Sequence, residues 1–518
     1  MKNRLPAKTI LIFFLILIIG VLPRVLDFGV LPAGLHQDEV ANGVDAYDVL
    51  HYRMDRTGIH NPIQFISWGS GQSALYGYLA IPFIYLWGLT QTTLRLPNLI
   101  AGLLTLPLVF LAGRKILNTR FGLISMFLVA ISPWSIMSSR WGLEAYFVVV
   151  IFLCGFCCYL YAEKTNYWFA AGSVFLALSL YAYGTTFAVV PLFIAASVVL
   201  LWKTNRLGWR NLILGAVAFI LMALPMILFT VINAFDLPPI DIFKFTIPRL
   251  PTDPRYVTTV SIFQANAWVT IWGNLQKLLE VLWSQRDGIV FNSIEPYGFL
   301  YPFALVFAVL GAVLGVLDAC KRKANAFLLV IFWLITSLAI GLFQPANIHR
   351  LSLVYIPMTF TMGYLLYRIF TLSSRAFAVV IILYLAFFAG FLYRYFGEGS
   401  YQEQAARSVN YGILDVLNYT KEFPDHDVCI SENIHESSIY LLFLDKPHPS
   451  TYLKTTGYID GDTPFRKPGM YDRYSFRMDE CMITSAHAMY VFRNDEPVPA
   501  FLAGITPLKF HSLSVYVK

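Results

Sequence analysis

Thr9-Ile10-Leu11-Ile12-Phe13-Phe14-Leu15-Ile16-Leu17-Ile18-Ile19-Gly20-Val21-Leu22 is an unbroken apolar run, and Gly34-Leu35-His36-Gln37-Asp38-Glu39 follows it closely. The first stretch is a membrane anchor by composition. The second sets two adjacent carboxylates on a loop just past that anchor. No small-x-small cleavage site follows the run, so it reads as a retained span and not as a removed signal peptide.

The rest of the chain repeats the first motif. Of 518 residues, 57% are hydrophobic and 16% aromatic, and 13% are charged. A soluble domain carries about 25% charged residues. Many apolar runs reach the ~20 residues that cross a bilayer. The fold class expected is an all-α polytopic membrane protein. Its net charge of +7 marks cytoplasmic loops rather than a nucleic-acid surface.

Twelve hydrophobic stretches stand out: 9–26, 73–89, 96–113, 121–137, 144–162, 167–183, 185–202, 211–232, 298–317, 326–343, 351–369 and 376–395. Lys and Arg in short loops set the orientation. Lys2, Arg4 and Lys8 put the N-terminus inside. So do Arg114, Lys115 and Arg120 for their loop, Lys203, Arg206 and Arg210 for a second, Lys321, Arg322 and Lys323 for a third, and Arg368 and Arg375 for the last. Strict alternation fails once, at 73–89, which Gly77, Pro82 and Gly88 interrupt. Reading that stretch as re-entrant or interfacial leaves about eleven full spans; about twelve remain if it crosses. The C-terminus then lies outside.

The outer face collects residues 27–72, the Ser138–Glu144 turn, the 233–297 loop, the Gln344–Arg350 turn and residues 398–518. In the long loop, Pro238, Pro239, Pro248, Pro251 and Pro254 rule out a continuous helix. Residues 258–284 regain helical periodicity, with Trp268, Trp272 and Trp283. That segment is either amphipathic on the membrane surface or packed on the bundle.

Two domains are expected: 1–397 in the membrane, and 398–518 as a small α/β or α+β extracytoplasmic domain. At about 120 residues the latter is large enough for its own core. An amphipathic helix is expected at 402–421, a short helix at 437–444, and strands at 426–431, 489–493 and 513–517. Cys429 and Cys481 lie in this part and can form a disulfide. Cys154, Cys157 and Cys158 sit in one apolar run and read as packing residues, and Cys320 sits at a helix end.

Candidate chemistry starts at Asp38 and Glu39. With Gly34, His36, Gln37, Asn42 and Asp45 they form a polar island beside an apolar wall. A carboxylate so placed can take the proton of an acceptor hydroxyl or help hold a divalent metal. Ser139-Arg140-Trp141-Gly142-Leu143-Glu144 sets a cation and an anion at a span boundary. The group reads as an interfacial ion pair with a Trp anchor, or as a second acidic group with Arg140 on a phosphate. Arg95 is isolated between apolar runs and either snorkels or binds phosphate. In Asn347-Ile348-His349-Arg350 the planar guanidinium of Arg350 suits a phosphate leaving group, with His349 assisting or merely capping. The remaining histidines show no metal spacing.

This ordered set resembles the GT-C glycosyltransferases. It comprises an anchor, an outer loop with Asp-Glu, Leu94-Arg95-Leu96-Pro97, Ser132-Pro133-Trp134, and Ser-Arg-x-Gly-x-Glu at 139–144. Within that class it is similar to the superfamily of protein O-mannosyltransferases and bacterial lipid A aminoarabinose transferases. The similarity covers residues 5–200 and reaches weakly to Asn347–Arg350. It implies transfer of a sugar, with inversion, from a polyprenyl- or dolichyl-phosphate donor on the outer leaflet. It also implies that Asp38 is the base or acceptor-orienting group, that Glu144 is the second acidic site and that Arg140 and Arg95 match the family's arginines; the reading of the residues adds Glu39 to the catalytic pair and Arg350 and His349 to the donor-phosphate ligands beside Arg95 and Arg140. If a metal is needed, Asp38 and Glu144 are its candidate ligands. Two departures matter: there is no sign of the lumenal trefoil domain of eukaryotic members, and the second acidic position is Glu where Asp is common. Expected partners are the lipid-linked donor, membrane lipids and a lipid, glycan or protein acceptor. The expected setting is the bacterial inner membrane, with the site and C-terminal domain extracytoplasmic. Two rivals stay open, a flippase for a lipid-linked saccharide and a non-catalytic cell-envelope assembly protein.

Overall fold

Twelve apolar stretches give helices because no other backbone arrangement within one segment satisfies its own polar groups in hydrocarbon. The structure, a computed structural model, describes residues 6–67, 70–251, 266–322, 325–397, 399–459, 467–478, 481 and 487–518. Lys2, Arg4, Pro254, Lys323 and residues 258–265 of the expected amphipathic segment lie outside them. The helices run α1 (Ala7–Val25), α2 (Gln37–Tyr52), α3 (Ala74–Trp87), α4 (Gln91–Ile116), α5 (Thr119–Ala130), α6 (Pro133–Ser138), α7 (Glu144–Tyr161), α8 (Trp168–Leu178), α9 (Thr186–Lys203) and α10 (Trp209–Ala234). They continue with α11 (Ala267–Ser284), α12 (Ala304–Arg322), α13 (Ala326–Leu338), α14 (Ile340–Phe343), α15 (Tyr355–Leu372) and α16 (Ser374–Phe396).

Among the described residues, nine helices are long and apolar enough to span a membrane. Three expected stretches give shorter apolar helices: 74–87, 119–130 and 168–181. At 1.5 Å per residue, α3 reaches about 21 Å, short of the ~30 Å hydrocarbon core. It carries Pro82 and ends at Gly88 in a positive-φ conformation, the interruptions noted in the sequence.

The chain divides into two compact units. The first comprises Met1–Phe28, Pro97–Ile227 and Tyr256–Gly399. Its helices pack through aromatic and small residues. Phe152 and Phe156 each pack at a tilt against Trp333. A Cβ at Gly311 of α12 would meet the Thr361 carbonyl of α15 at 1.8 Å, so Gly is required for that backbone approach. Trp209–Ala234 and Ser374–Phe396 keep most of their apolar side chains exposed, as lipid-facing helices do. Helix α11 buries Asn274, Leu278, Val281 and Leu282 and leaves Trp268, Trp272 and Trp283 exposed.

The second unit gathers Gly29–Leu96, Leu228–Arg255 and Ser400–Lys518. The C-terminal segment adds α17 (Ser400–Ser408), α18 (Ile413–Thr420), α19 (Ser438–Asp445) and α20 (Pro449–Thr455). The single helix expected at 402–421 is thus two helices, because Asn410 and Gly412 both take positive φ. Two hairpins come first, β1 (Gln64–Ser67) with β2 (Ser70–Ser73) and β3 (Ile240–Ile242) with β4 (Phe245–Ile247). Seven further strands make one sheet: β10 (Leu508–Phe510), β11 (Leu513–Val517), β9 (Ala488–Arg493), β5 (Asp427–Ile430), β8 (Tyr474–Ser475), β7 (Lys467–Tyr471) and β6 (Thr456–Ile459), in that order. Strand β5 pairs in parallel with both neighbours, and the outer pairs are antiparallel. Cys429 on β5 is disulfide-bonded to Cys481. One hydrophobic core joins Val40, Ala41 and Val44 of α2 to Leu441 of α19, Val428 and Ile430 of β5 and Val491 of β9.

Candidate functional site

The acidic pair lies on a helix and not on the loop expected from sequence. His36 is the N-cap of α2, and its Nδ1 accepts from the Asp38 backbone N–H at 3.1 Å. Glu39, three residues on, accepts from the His36 backbone N–H at 2.9 Å. This is a capping box with His in the place of the usual Ser or Thr, which hid the helix start.

That start separates the two carboxylates. Glu39 is fully buried and forms a two-pronged ion pair with Arg95, at 2.9 Å (Nε to Oε1) and 3.1 Å (Nη2 to Oε2). Arg95 also donates to the Pro32 and Gly34 carbonyls at 2.8 and 2.7 Å. Both oxygens of Glu39 and all three guanidinium nitrogens of Arg95 are therefore engaged in holding the 32–39 turn. Glu39, expected from sequence in the catalytic pair, and Arg95, expected on a donor phosphate, are here paired with one another at this turn. Asp38 keeps a side chain 39% exposed, with His36 Nδ1 at 3.6 Å. The Tyr440 hydroxyl donates to the Leu35 carbonyl at 2.8 Å. Burial, with Glu39 and Asp38 nearby, raises the Tyr440 phenol above its ordinary pKa, so it stays a donor.

In the helical unit, the 139–144 turn is pinned from three sides. Asn98 donates to the Trp141 and Leu143 carbonyls at 2.6 and 2.8 Å. Arg140 is fully buried and donates to the carbonyls of Pro23, Arg24 and Asp27 at 2.9, 3.1 and 3.1 Å. These carbonyls lie at the C-terminal end of α1, where the helix dipole favours a cation. Trp141 is buried against Phe291. Arg140, expected from sequence on a phosphate, is held here by three backbone acceptors. Glu144 is half-buried at the first position of α7.

The 347–350 turn differs. Asp287 Oδ2 accepts from the Ile348 N–H at 2.8 Å and from Asn292 Nδ2 at 2.6 Å. Asn292 lies 3.3 Å from His349 Nδ1 and accepts from the Tyr146 hydroxyl at 2.7 Å. A relay of hydrogen bonds therefore runs from the first turn of α7 to His349. Arg350 donates to the Pro345 carbonyl at 3.0 Å through Nη1 and is half-buried. Of the three arginines named from sequence, it carries the lightest load of protein acceptors. Asn98, Trp134, Ser138 and Tyr146 line a cleft in the same unit.

The structure thus groups Asp38, Glu39 and Arg95 in one unit and Arg140, Glu144, His349 and Arg350 in the other. Among the described residues, no three His, Cys, Asp or Glu side chains form a metal-holding group. Sequence reading missed Arg24, which is fully buried and donates to the Gly20, Ala130 and Val129 carbonyls and to Ser135 Oγ. It also missed Asp287, Asn292 and Tyr146, whose types are too common to stand out. An isolated Arg at the end of an apolar run was the available signal for Arg24.

Similarity to known proteins agrees with this architecture. Residues 50–237 match the family model for dolichyl-phosphate-mannose-protein mannosyltransferase. That match includes Arg95, Arg140 and Glu144 and begins after the Asp38–Glu39 pair. No curated protein sequence matches significantly. Among solved structures, ArnT from Cupriavidus metallidurans bound to undecaprenyl phosphate superposes with a TM-score of 0.55 at 12% identity, over 98% of each chain. Its apo state gives 0.54. The archaeal oligosaccharyltransferase AglB from Archaeoglobus fulgidus, in complex with an inhibitory peptide and a dolichol-phosphate, gives 0.53 at 14% identity. That match covers 84% of this chain and 63% of the oligosaccharyltransferase. The fold is the GT-C fold. The family match over residues 50–237 and these neighbours are what the chain is similar to, and they agree with the resemblance read from the sequence.

Proposed function

We propose that this chain is a multi-pass membrane glycosyltransferase that moves a sugar, with inversion, from a polyprenyl-phosphate donor to an extracytoplasmic acceptor. The observation that carries the reading is the division of labour at the start of α2. Glu39 and Arg95 hold the turn, and Asp38 is left with a part-exposed carboxylate beside His36. In the reaction the acceptor oxygen bonds to the anomeric carbon as the sugar–phosphate bond breaks. Asp38 takes the acceptor proton, and the polyprenyl phosphate leaves with the bonding pair. Arg350, with most of its donors open, is the group suited to the charge that develops there. His349, held through Asn292 and Asp287, orients that turn, and Glu144 at the α7 N-terminus is the second acidic group.

The Cys429–Cys481 disulfide supports an extracytoplasmic position for residues 400–518, since such bonds persist in oxidising compartments. The bacterial inner membrane is the setting that fits. Undecaprenyl phosphate and dolichol-phosphate in the neighbouring structures support a polyprenyl-phosphate donor.

The test is transfer of label from a panel of radiolabelled polyprenyl-phosphate sugars to a membrane extract. Asp38→Asn should lower turnover by about 10²–10⁴-fold with its unfolding midpoint unchanged. Arg350→Ala should raise the apparent KM for donor more than it changes acceptor choice. Transfer by Asp38→Asn at the wild-type rate would remove Asp38 as base. No turnover by folded wild type with any donor would favour a flippase.

A further inference from the structure

The hairpin of β3 and β4 carries apolar side chains that the fold does not use. Phe235, Leu237, Ile240, Phe243 and Phe245 are all exposed, Phe243 fully. Directly opposite residues of an antiparallel pair share a face. One face therefore sets Ile240 against Ile247 and Ile242 against Phe245, and the other sets Asp241 against Thr246. Of the four apolar residues only Ile247 is buried. On the polar face the Thr246 hydroxyl donates to Asp241 at 2.6 Å.

The turn is unusual as well. Phe243 and Lys244 join the paired Ile242 and Phe245, and Phe243 takes a φ of +53°. Glycine is the usual residue at such a turn position, and a bulky side chain is strained there. Glycine would relieve the strain and remove the exposed ring together. The Phe243 ring is therefore explained by what it meets outside the protein.

Helix α10 indicates what that is. It leaves most of its apolar side chains exposed. Its 26 residues make it about 39 Å long, against a hydrocarbon core of ~30 Å. Its C-terminal end thus reaches the headgroup layer. The hairpin is fastened to that end. Asn233, in the last turn, donates to the Pro248 carbonyl at 3.2 Å and accepts from the Leu250 N–H at 2.7 Å. Arg249 pairs with Asp236 across the same base. Between Phe243 and Pro248 the strand gives the tip a reach of about 16 Å from that base. The exposed apolar surface of α10 continues into Phe235 and Leu237. This continuity favours a lipid surface over a protein partner, and so does the tip itself, an aromatic ring beside an exposed lysine.

We propose that the β3–β4 hairpin is a membrane wedge: Phe243 enters the acyl region of the leaflet at the C-terminal end of α10, Ile240 and the exposed part of Phe245 lie at its boundary, and Lys244 meets the lipid phosphates. The hairpin also holds the chain at 61–63. The Ile63 N–H donates to the Thr246 carbonyl, and Asn61 Nδ2 to the Lys244 carbonyl, each at 3.0 Å. These residues belong to the unit that carries Asp38, so lipid contact at the tip keeps that unit at the level of a lipid-borne substrate. This consequence rests on the transferase reading; the lipid contact itself does not.

The experiment is photocrosslinking of the full chain in vesicles of phosphatidylethanolamine and phosphatidylglycerol with radiolabelled acyl chains. The photoreactive residue p-benzoylphenylalanine replaces Phe243, whose exposed position tolerates the larger ring. The same residue in place of Leu221, exposed on α10, and of Leu508, exposed on β10, gives the upper and lower references. Lipid label at position 243 should match that at 221 and exceed that at 508 severalfold. Label at the level of 508 would overturn the wedge. So would a protein adduct in place of lipid when the crosslinking is repeated in native membranes, which would make the tip a protein-docking site. Sugar transfer by a protein whose position 243 takes no lipid label would sink the wedge and leave the reading of Asp38 standing. Lipid label on a protein without transfer activity would do the reverse.

Discussion

Asp38 and Glu39 are adjacent in sequence and unlike in role, because successive helical residues point about 100° apart. Glu39 turns inward to Arg95 with both groups fully buried, while Asp38 faces outward at the helix start. Removing one member of a buried pair typically costs about 3–5 kcal/mol, since the other charge is left alone. Glu39→Gln and Arg95→Met should each lower the thermal unfolding midpoint sharply, and the double variant should lose less than the sum. Strictly additive losses would mean that the two residues are not coupled. The Asp45–Asp48–Asp55 cluster gives a pH signature. Burial raises Asp45 to about 7 and Asp48 to about 8, against Arg56 beside them, and raises Asp55 as well. Groups with raised folded pKa bind protons more tightly when folded. Their stabilisation is therefore complete below pH ~4 and is lost as pH rises towards 8, at up to about 1.4 kcal/mol per pH unit per proton. Asp48→Asn should flatten the decline between pH 5 and 8, measured as unfolding midpoint against pH. An unchanged slope would remove Asp48 from the linkage.

At the level of elements, the membrane helices were legible because a hydrophobic run long enough to span needs no tertiary context. The strands at 427–430, 488–493 and 513–517 were legible from their β-branched and aromatic runs. Helix α2 was not. Its buried face holds Glu39, Asn42, Asp45 and Asp48 among apolar residues, so polarity reads as loop until the ion pairs are known. The roles of Arg95 and Arg140 were hidden for a related reason. A lone Arg in an apolar context signals a buried anion or carbonyl partner as readily as a ligand, and which one depends on contacts 56 residues or more away in sequence. Helix α11 resolves the two readings left open for its stretch, since it is packed and amphipathic at once. One face buries Leu278 and Val281, and the other exposes Trp268, Trp272 and Trp283. Exposed Trp on an amphipathic helix belongs at the headgroup level of a bilayer. Brominated lipid should therefore quench the fluorescence of the reconstituted protein, and replacing these three residues by Gln should reduce that quenching. Equal quenching in the variant would place them away from lipid.

At the scale of the whole molecule, three separated segments build the unit that carries Asp38. The early helix α2 and the C-terminal sheet share a core, so the C-terminal segment is part of what shapes the start of that helix. The Tyr440 bond to the Leu35 carbonyl and the packing of Val409 close to Gly34 reach the same turn. Gly34 takes a φ of +82°, and a Cβ there would meet Val409 at 2.6 Å. Loosening the C-terminal segment should therefore reach the chemistry without touching it. Leu441 is fully buried in the shared core, and a Leu→Ala change at such a site costs about 2–5 kcal/mol. Leu441→Ala should lower both the unfolding midpoint and the transfer rate, and its rate should recover on cooling as the core tightens. Asp38→Asn, by contrast, should keep its about 10²–10⁴-fold deficit at every temperature with its midpoint unchanged. A Leu441→Ala protein that unfolds earlier yet transfers at the wild-type rate would separate the C-terminal core from the presentation of Asp38, and the segment would then serve some purpose other than positioning the base.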